Sequence, residues 1–204
     1  MTATTSNTLL RVLAARGDST ATPRGIQIAS VLFITALTAT AAQISVPLPF
    51  TTVPLTLQPM VVLVGSLALG SRLGAASQIL YLAAGIAGLP VFAASATLPP
   101  GALRLLGPTG GYLMAYPLAA FVAGSLAERG YDRRYFTAVA AMIAGLAFVF
   151  AGGVAWLALV AQPAGGLTGA LAAGLYPFLA ADLAKLLIAA GVMPALWFLA
   201  ERQN

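Results

Sequence analysis

Two ionisable residues stand three apart in an otherwise apolar run: Asp182 and Lys185 in YPFLAADLAKLLIAAG, residues 176–191. An i,i+3 spacing puts both on one helical face. Neither is tolerated cheaply against hydrocarbon, so the pair must turn toward a bundle interior or a wet cavity. One reading is an ion pair that holds helices together, although a buried pair gains little over apolar packing. The other is a small-molecule site, in which a carboxylate accepts N–H bonds and an ammonium donates to an oxygen. An uncharged polar ligand would complete such a site. Asp182 follows Pro177 by five residues. At about 1.5 Å per residue that is roughly 8 Å below the helix start, in the outer part of a membrane.

The elements that must position this pair follow from composition. The chain has 204 residues, 60% hydrophobic and 7% charged, with mean hydropathy +0.94. Soluble domains average about 25% charged residues and could not cover such a core. The class is an all-α polytopic membrane protein. Apolar runs of membrane length are expected at 26–44, 57–71, 73–92, 110–127 and 136–160. The remainder, 168–199, divides at Pro177 into a short helix over 168–175 and a sixth span from 177, with Pro194 kinking its far end. The domain is thus a six-helix unit over 26–200. Residues 1–25 read as an N-terminal tail with one amphipathic turn rather than a cleaved leader, because the apolar run that follows is too long for a leader's core.

Six spans place Arg11, Arg16, Arg24, Arg72, Arg129, Arg133, Arg134 and Arg202 on one side and Arg104 alone on the other. By the positive-inside rule both termini are cytoplasmic. The net charge of +5 therefore speaks to topology and not to nucleic acid.

Two external loops are apolar. ISVPLPFTTVPLTLQP, 44–59, carries Pro47, Pro49, Pro54 and Pro59 and no charge. Those prolines exclude a continuous helix. The loop is either a tight interfacial turn or a lid folded over a cavity, and the absence of any charge, in a segment that as a mere connector in water would be more polar, favours the lid. FAASATLPPGALRLLGPTGGY, 92–112, holds Gly107, Gly110 and Gly111. Such glycines permit a backbone to approach a ligand closely or permit close helix packing.

Several chemistries fall away. There is no cysteine and no histidine, which removes disulfides, thiol catalysis and the usual transition-metal and haem ligand sets. An intramembrane aspartyl protease needs two carboxylates at membrane depth, and one is present. A Ser–Lys hydrolase needs a serine beside Lys185; Ser45, Ser66 and Ser95 carry no motif that marks them. No Walker A pattern is present, so the chain lacks the P-loop route to ATP hydrolysis.

Four stretches together resemble the BioY family, substrate-binding subunits of biotin transporters of the energy-coupling factor (ECF) type. They are FTTVPLTLQP (50–59), LGSRLGAASQILYLAAGIAGLPVFA (69–93), LGPTGGYLMAYPLAAFVAG (106–124) and YPFLAADLAKLLIAA (176–190). The resemblance runs from about residue 26 to 199, and the GPTGGY and PFxxxDxxK patterns are specific in combination. It implies the ECF S-component fold and biotin as ligand, held near the external face. The positions it marks are Asp182, Lys185 and Phe178 in the last span, Tyr112, Gly110 and Gly111 in GPTGGY, and Thr51, Thr52 and Gln58 in the lid. Biotin's ureido group offers two N–H donors and a carbonyl, and its carboxylate would look outward toward Arg104. The loop after PVF is longer here than is usual in the family, with Pro99 and Pro100, and Thr52 stands where proline is common.

The resemblance also implies partners: a transmembrane coupling (T) subunit and cytoplasmic ABC-type ATPase subunits, which alone hydrolyse ATP, in the bacterial cytoplasmic membrane. No cofactor is expected. The first span carries small residues at helical spacing, Thr35, Ala36, Ala39 and Thr40. Such a face allows close contact with the coupling subunit, or packing within this bundle. Two other classes stay open. A stand-alone secondary transporter of biotin or another small vitamin would cycle a proton on Asp182 and depend on the proton gradient rather than ATP. A membrane scaffold or enzyme would show no tight small-molecule binding.

Overall fold

A computed structural model describes residues 8–10, 24–94, 100–161 and 166–202. The pair at 182 and 185 sits in a mostly helical bundle. Its helices are α1 (Arg24–Gln43), α2 (Gln58–Leu69), α3 (Ser71–Ile86), α4 (Gly110–Ala127), α5 (Tyr135–Trp156), α6 (Gly166–Gly174), α7 (Tyr176–Ala189) and α8 (Val192–Arg202). Two 3-10 turns, Ala102–Leu106 and Tyr131–Arg133, flank α4, and a π-helical stretch, Leu157–Ala161, extends α5.

The all-α expectation needs one amendment. Between α1 and α2 the proline-bearing segment folds back as a two-stranded antiparallel hairpin, β1 (Ser45–Val46) on β2 (Leu55–Thr56), with Ser45 opposite Thr56. Proline removes ladder donors, and the prolines at 47, 49 and 54 fall outside the paired residues, in the connecting arch.

Helix starts follow local chemistry. Proline occupies the first turn of α2 (Pro59) and α7 (Pro177), where its missing N–H leaves no partner unsatisfied. Gly70 makes the corner between α2 and α3 at φ 86°, backbone that residues with a Cβ rarely adopt. Glu128, at the end of α4, accepts hydrogen bonds from the Ser71 backbone N–H and hydroxyl, both at 2.9 Å. That carboxylate satisfies orphan donors at the start of α3 and complements its dipole.

The core is built on α4 and α5, packed through small residues. Ala119, Ala120 and Ala123 on α4, and Ala138 and Ala141 on α5, are fully buried. A Cβ added at Gly145 would stand 3.1 Å from the Ala119 carbonyl. Close backbone approach of this kind drives association where lipid is as apolar as the side chains. Large apolar side chains such as Phe33, Phe136, Leu159 and Ile188 face outward, as lipid-facing residues do.

The chain is a multi-pass membrane protein. Among the described residues, four helical stretches are long and apolar enough to cross a membrane: Arg24–Gln43, Gly110–Ala127, Tyr135–Val160 and Gly166–Ala200. The segments expected at 57–71 and 73–92 are shorter helices of 12 and 16 residues. At about 1.5 Å rise each falls short of a hydrocarbon core of roughly 30 Å. The last stretch also differs from expectation. The break before Pro177, at Leu175, falls where expected, but a second break at Ala190–Gly191 means that no single helix runs from 177 to 199. Pro194 lies in the first turn of α8. It has no N–H to bond the Ala190 carbonyl, so α7 cannot continue through it.

Of the N-terminal tail, Thr8 and Leu9 are buried, and Thr8 lies against Gly70. The rest of the amphipathic turn expected there, and Pro99, lie outside the described residues.

Candidate ligand-binding site

One end of the bundle holds a cavity of about 340 Å³, within the range of small-molecule pockets. The arch 47–56 covers one side. Phe92, Ala93 and Ala94 from the segment after α3 cover another, and the starts of α4 and α7 close the rest. The walls are mainly apolar, with Phe92, Leu113, Phe150 and Phe178 among them.

Asp182 points a carboxylate into this space from α7 and is 7% exposed overall. It is ion-paired with Lys185 one turn on. The Lys185 ammonium also donates to the Thr56 carbonyl at 2.6 Å, which ties α7 to β2. Lys185 does not itself line the cavity; it flanks a much smaller void beneath it with Met60 and Leu63. It therefore supports the carboxylate from behind.

The other residues marked in the sequence divide into three groups. Thr51, Thr52, Gln58, Arg104, Tyr112 and Phe178 line the cavity with Asp182. Several are locked by bonds to neighbouring elements. Thr51 donates its hydroxyl to the Ala173 carbonyl of α6 at 2.7 Å and accepts from the Val53 N–H at 3.2 Å. Tyr112 donates to the Gly174 carbonyl at 2.7 Å, and its ring covers Gly153, where a Cβ would collide with it. Gln58 donates to the Tyr81 hydroxyl at 2.7 Å. Arg104 donates to the Ala93 carbonyl at 2.6 Å, holding the 3-10 turn against the segment after α3.

Gly110 and Gly111 form the second group and do not reach the cavity. A Cβ at Gly110 would overlap the Leu105 carbonyl; at Gly111 it would overlap Trp156 and the Gly152 carbonyl. Their freedom lets α4 start tight against α5. Trp156 completes the joint by donating its indole N–H to the Gly107 carbonyl at 2.9 Å. Packing, not ligand approach, is what these glycines serve here.

The third group is on α1. Ala36 and Thr40 face outward, but Thr35 and Ala39 turn into the bundle. Thr35 donates to the Ser77 carbonyl of α3 at 2.9 Å, and Ala39 packs on the core. The stripe of small residues is therefore split between two faces, because positions one apart on a helix diverge by about 100°.

Sequence reasoning missed Tyr116, Val149 and Phe150, which complete the cavity wall. Tyr116 was findable: it stands one turn after Tyr112, on the same face. Among the described residues no cluster of three metal-ligating side chains occurs.

The arrangement can hold a ligand that is mostly apolar, with N–H donors for Asp182 at its buried end and an anionic or carbonyl group for Arg104 at its rim. Comparison with known proteins agrees in kind. The BioY family model matches residues 15–202. The chain is 38% identical over 159 residues to the probable biotin transporter BioY of Pyrococcus horikoshii, covering 78% of this chain and 88% of that one. It is 39% identical over 156 residues to the biotin transporter BioY of Thermotoga maritima, covering 76% and 86%. Its fold superposes on the crystal structure of the S-component for biotin from an ECF-type ABC transporter with a TM-score of 0.74 at 26% identity, covering 85% of this chain and 91% of that one. With the family matched over nearly the whole chain and the fold shared, the chain belongs to the BioY family.

Proposed function

We propose that the chain binds biotin at the external side of the membrane and delivers it for uptake as the substrate-specific subunit of an energy-coupling factor transporter. It is a binding and transport protein, not an enzyme. The observation that carries the reading is the Asp182 carboxylate, held by Lys185 and aimed into an aromatic-walled cavity of about 340 Å³, in a member of a family of biotin transporters.

Biotin's chemistry fits that cavity. Its ureido N–H groups suit Asp182 and its carboxylate suits the Arg104 guanidinium, a five-donor fork. Its thiophane ring and aliphatic chain suit Phe92, Phe150 and Phe178. Thr51 and Thr52 belong to an arch that opens and closes over the ligand.

The remaining reading is topological and oligomeric. The chain crosses the bacterial cytoplasmic membrane six times with both termini inside, α2 and α3 forming two short crossings joined at Gly70. The outward face of α1, with Ala36 and Thr40 among exposed Leu32, Phe33 and Leu37, docks a transmembrane coupling subunit. Cytoplasmic ABC-type ATPase subunits hydrolyse the ATP, and the chain itself needs no cofactor.

Mass spectrometry of small molecules released by denaturing the purified chain tests the substrate. Biotin in near-equimolar amount is the expected result. Little biotin beside another vitamin would contradict it.

A further inference from the structure

Tyr81 lies in the middle of α3, is fully buried (0% exposed), and is absent from the cavity wall. Its hydroxyl nonetheless sits between two groups that matter to the cavity. It is 2.7 Å from the Gln58 amide nitrogen and 3.1 Å from the Val91 carbonyl. A phenol has one proton. A backbone carbonyl can only accept, so that proton goes to Val91. The hydroxyl oxygen is then an acceptor toward Gln58, and the amide atom facing it must be the NH2 group. The Gln58 carbonyl oxygen Oε1 is the atom left for the cavity that Gln58 lines.

The reverse orientation is disfavoured. Oε1 turned to Tyr81 would meet the hydroxyl's lone pairs unless Tyr81 released Val91. Val91 begins the segment whose Phe92, Ala93 and Ala94 form cavity wall. Phe92 is held there too: it packs edge-on against Tyr81, ring centres 5.4 Å apart at 82°. It fills the space that a Cβ on Gly85 would occupy.

Building on the biotin reading, we infer that Tyr81 is a positioning residue for specificity: through the direction of its single proton it fixes the Gln58 amide with Oε1 toward the ligand. The cavity then presents two fixed acceptors, Asp182 and Gln58 Oε1, to a ligand with two N–H donors. A ligand with a lone pair at either place meets repulsion.

Two cyclic carbamate analogues of biotin, each with one ureido N–H replaced by oxygen, test this by titration calorimetry on the purified full chain. The wild type binds biotin about tenfold or more tightly than either analogue, since each leaves an acceptor unpaired. In Tyr81→Phe the freed amide flips to donate. One analogue, the one altered opposite Gln58, then binds nearly as well as biotin, while the other is still rejected. In a Gln58→Met background, which removes the amide but keeps its bulk, the same analogue is accepted and Tyr81→Phe adds no further change in the ratio. Gln58→Met gives the same readout should Tyr81→Phe fail to fold. Biotin and both analogues weakening in step in Tyr81→Phe, or Tyr81→Phe changing the ratio when Gln58 is already Met, would overturn the inference. So would a wild type that binds biotin and both analogues alike. A wild type that binds no biotin would overturn the substrate reading itself.

Discussion

Lys185 joins Asp182, one turn before it on α7, to the Thr56 carbonyl of the hairpin over the cavity. One ammonium therefore neutralises the carboxylate of a residue that lines the cavity and fixes the base of the arch that covers it. The two bonds use two of its three donors. This explains a pair that stability alone would not retain, since a buried ion pair gives little over apolar packing. Removing the lysine alone strands a buried carboxylate and frees the hairpin together.

Thr51→Val keeps the shape of the side chain and removes its bonds to Ala173 and from Val53. The first holds the arch to α6; the second lies within the arch. Loss of the one neutral hydrogen bond that ties the arch down costs about 0.5–1.5 kcal/mol. Biotin affinity should fall about two- to tenfold, mostly through faster release, with the thermal midpoint nearly unchanged. Binding kinetics measured on immobilised chain check this; unchanged release would leave the arch a simple connector.

Gly111→Ala should act on stability instead. Its Cβ would overlap Trp156 and a backbone carbonyl of α5, and overpacking of this kind costs about 1–3 kcal/mol. The expected outcome is a lower thermal midpoint with biotin affinity of the folded protein retained. A stable variant that binds poorly would return this glycine to the ligand site.

Asp132 lies in the 3-10 turn between α4 and α5 and is fully buried (0% exposed). The Trp197 indole N–H donates to it at 2.6 Å, and the Arg133 guanidinium stacks over the same indole. Burial pushes its carboxyl above the ordinary 3.8, against the lowering effect of the Trp197 bond. A raised native value means that the folded state holds the proton more tightly than the unfolded one. Stability from this group is then greatest below 3.8, falls as pH climbs to the native value, and is level above it. Asp132→Asn should flatten that decline in thermal midpoints taken from about pH 4 to 7. An identical slope in the variant would assign the pH dependence elsewhere.

Reporter fusions test the orientation. Fusions after residues 50, 100 and 165 should read external, and those after 72, 131 and 204 cytoplasmic. An external C-terminus would break the six-crossing reading and the placement of the arginines with it.

Much of the architecture was legible for a physical reason: lipid leaves few options. Charges at membrane depth must face inward, so Asp182 announced a cavity. Prolines at 47, 49 and 54 excluded helix, so a separate covering element followed. The failures share a cause as well. Gly110 and Gly111 signal that something comes close, but a glycine does not say whether it is ligand or helix. Thr35 and Ala39 were grouped with Ala36 and Thr40 by residue size, while the direction of each depends on where α3 lies. The Tyr81–Gln58 bond joins positions 23 apart in sequence, and no local pattern encodes such a pairing. The break at Ala190–Gly191 precedes the proline that causes it, since the missing N–H of Pro194 acts one turn upstream.

The most direct test is calorimetric titration of biotin into the purified wild type and into Asp182→Leu/Lys185→Met, with thermal unfolding of both. Replacing both charges leaves no stranded ion, so the double variant should fold with a midpoint near that of the wild type. The wild type should saturate at about one biotin per chain. The double variant should lose affinity by at least the roughly 1.5–3 kcal/mol of a hydrogen bond to a charged group, about ten- to more than a hundredfold. A folded double variant that binds biotin as tightly as the wild type would contradict the account, and the pair would then be no more than a structural bridge.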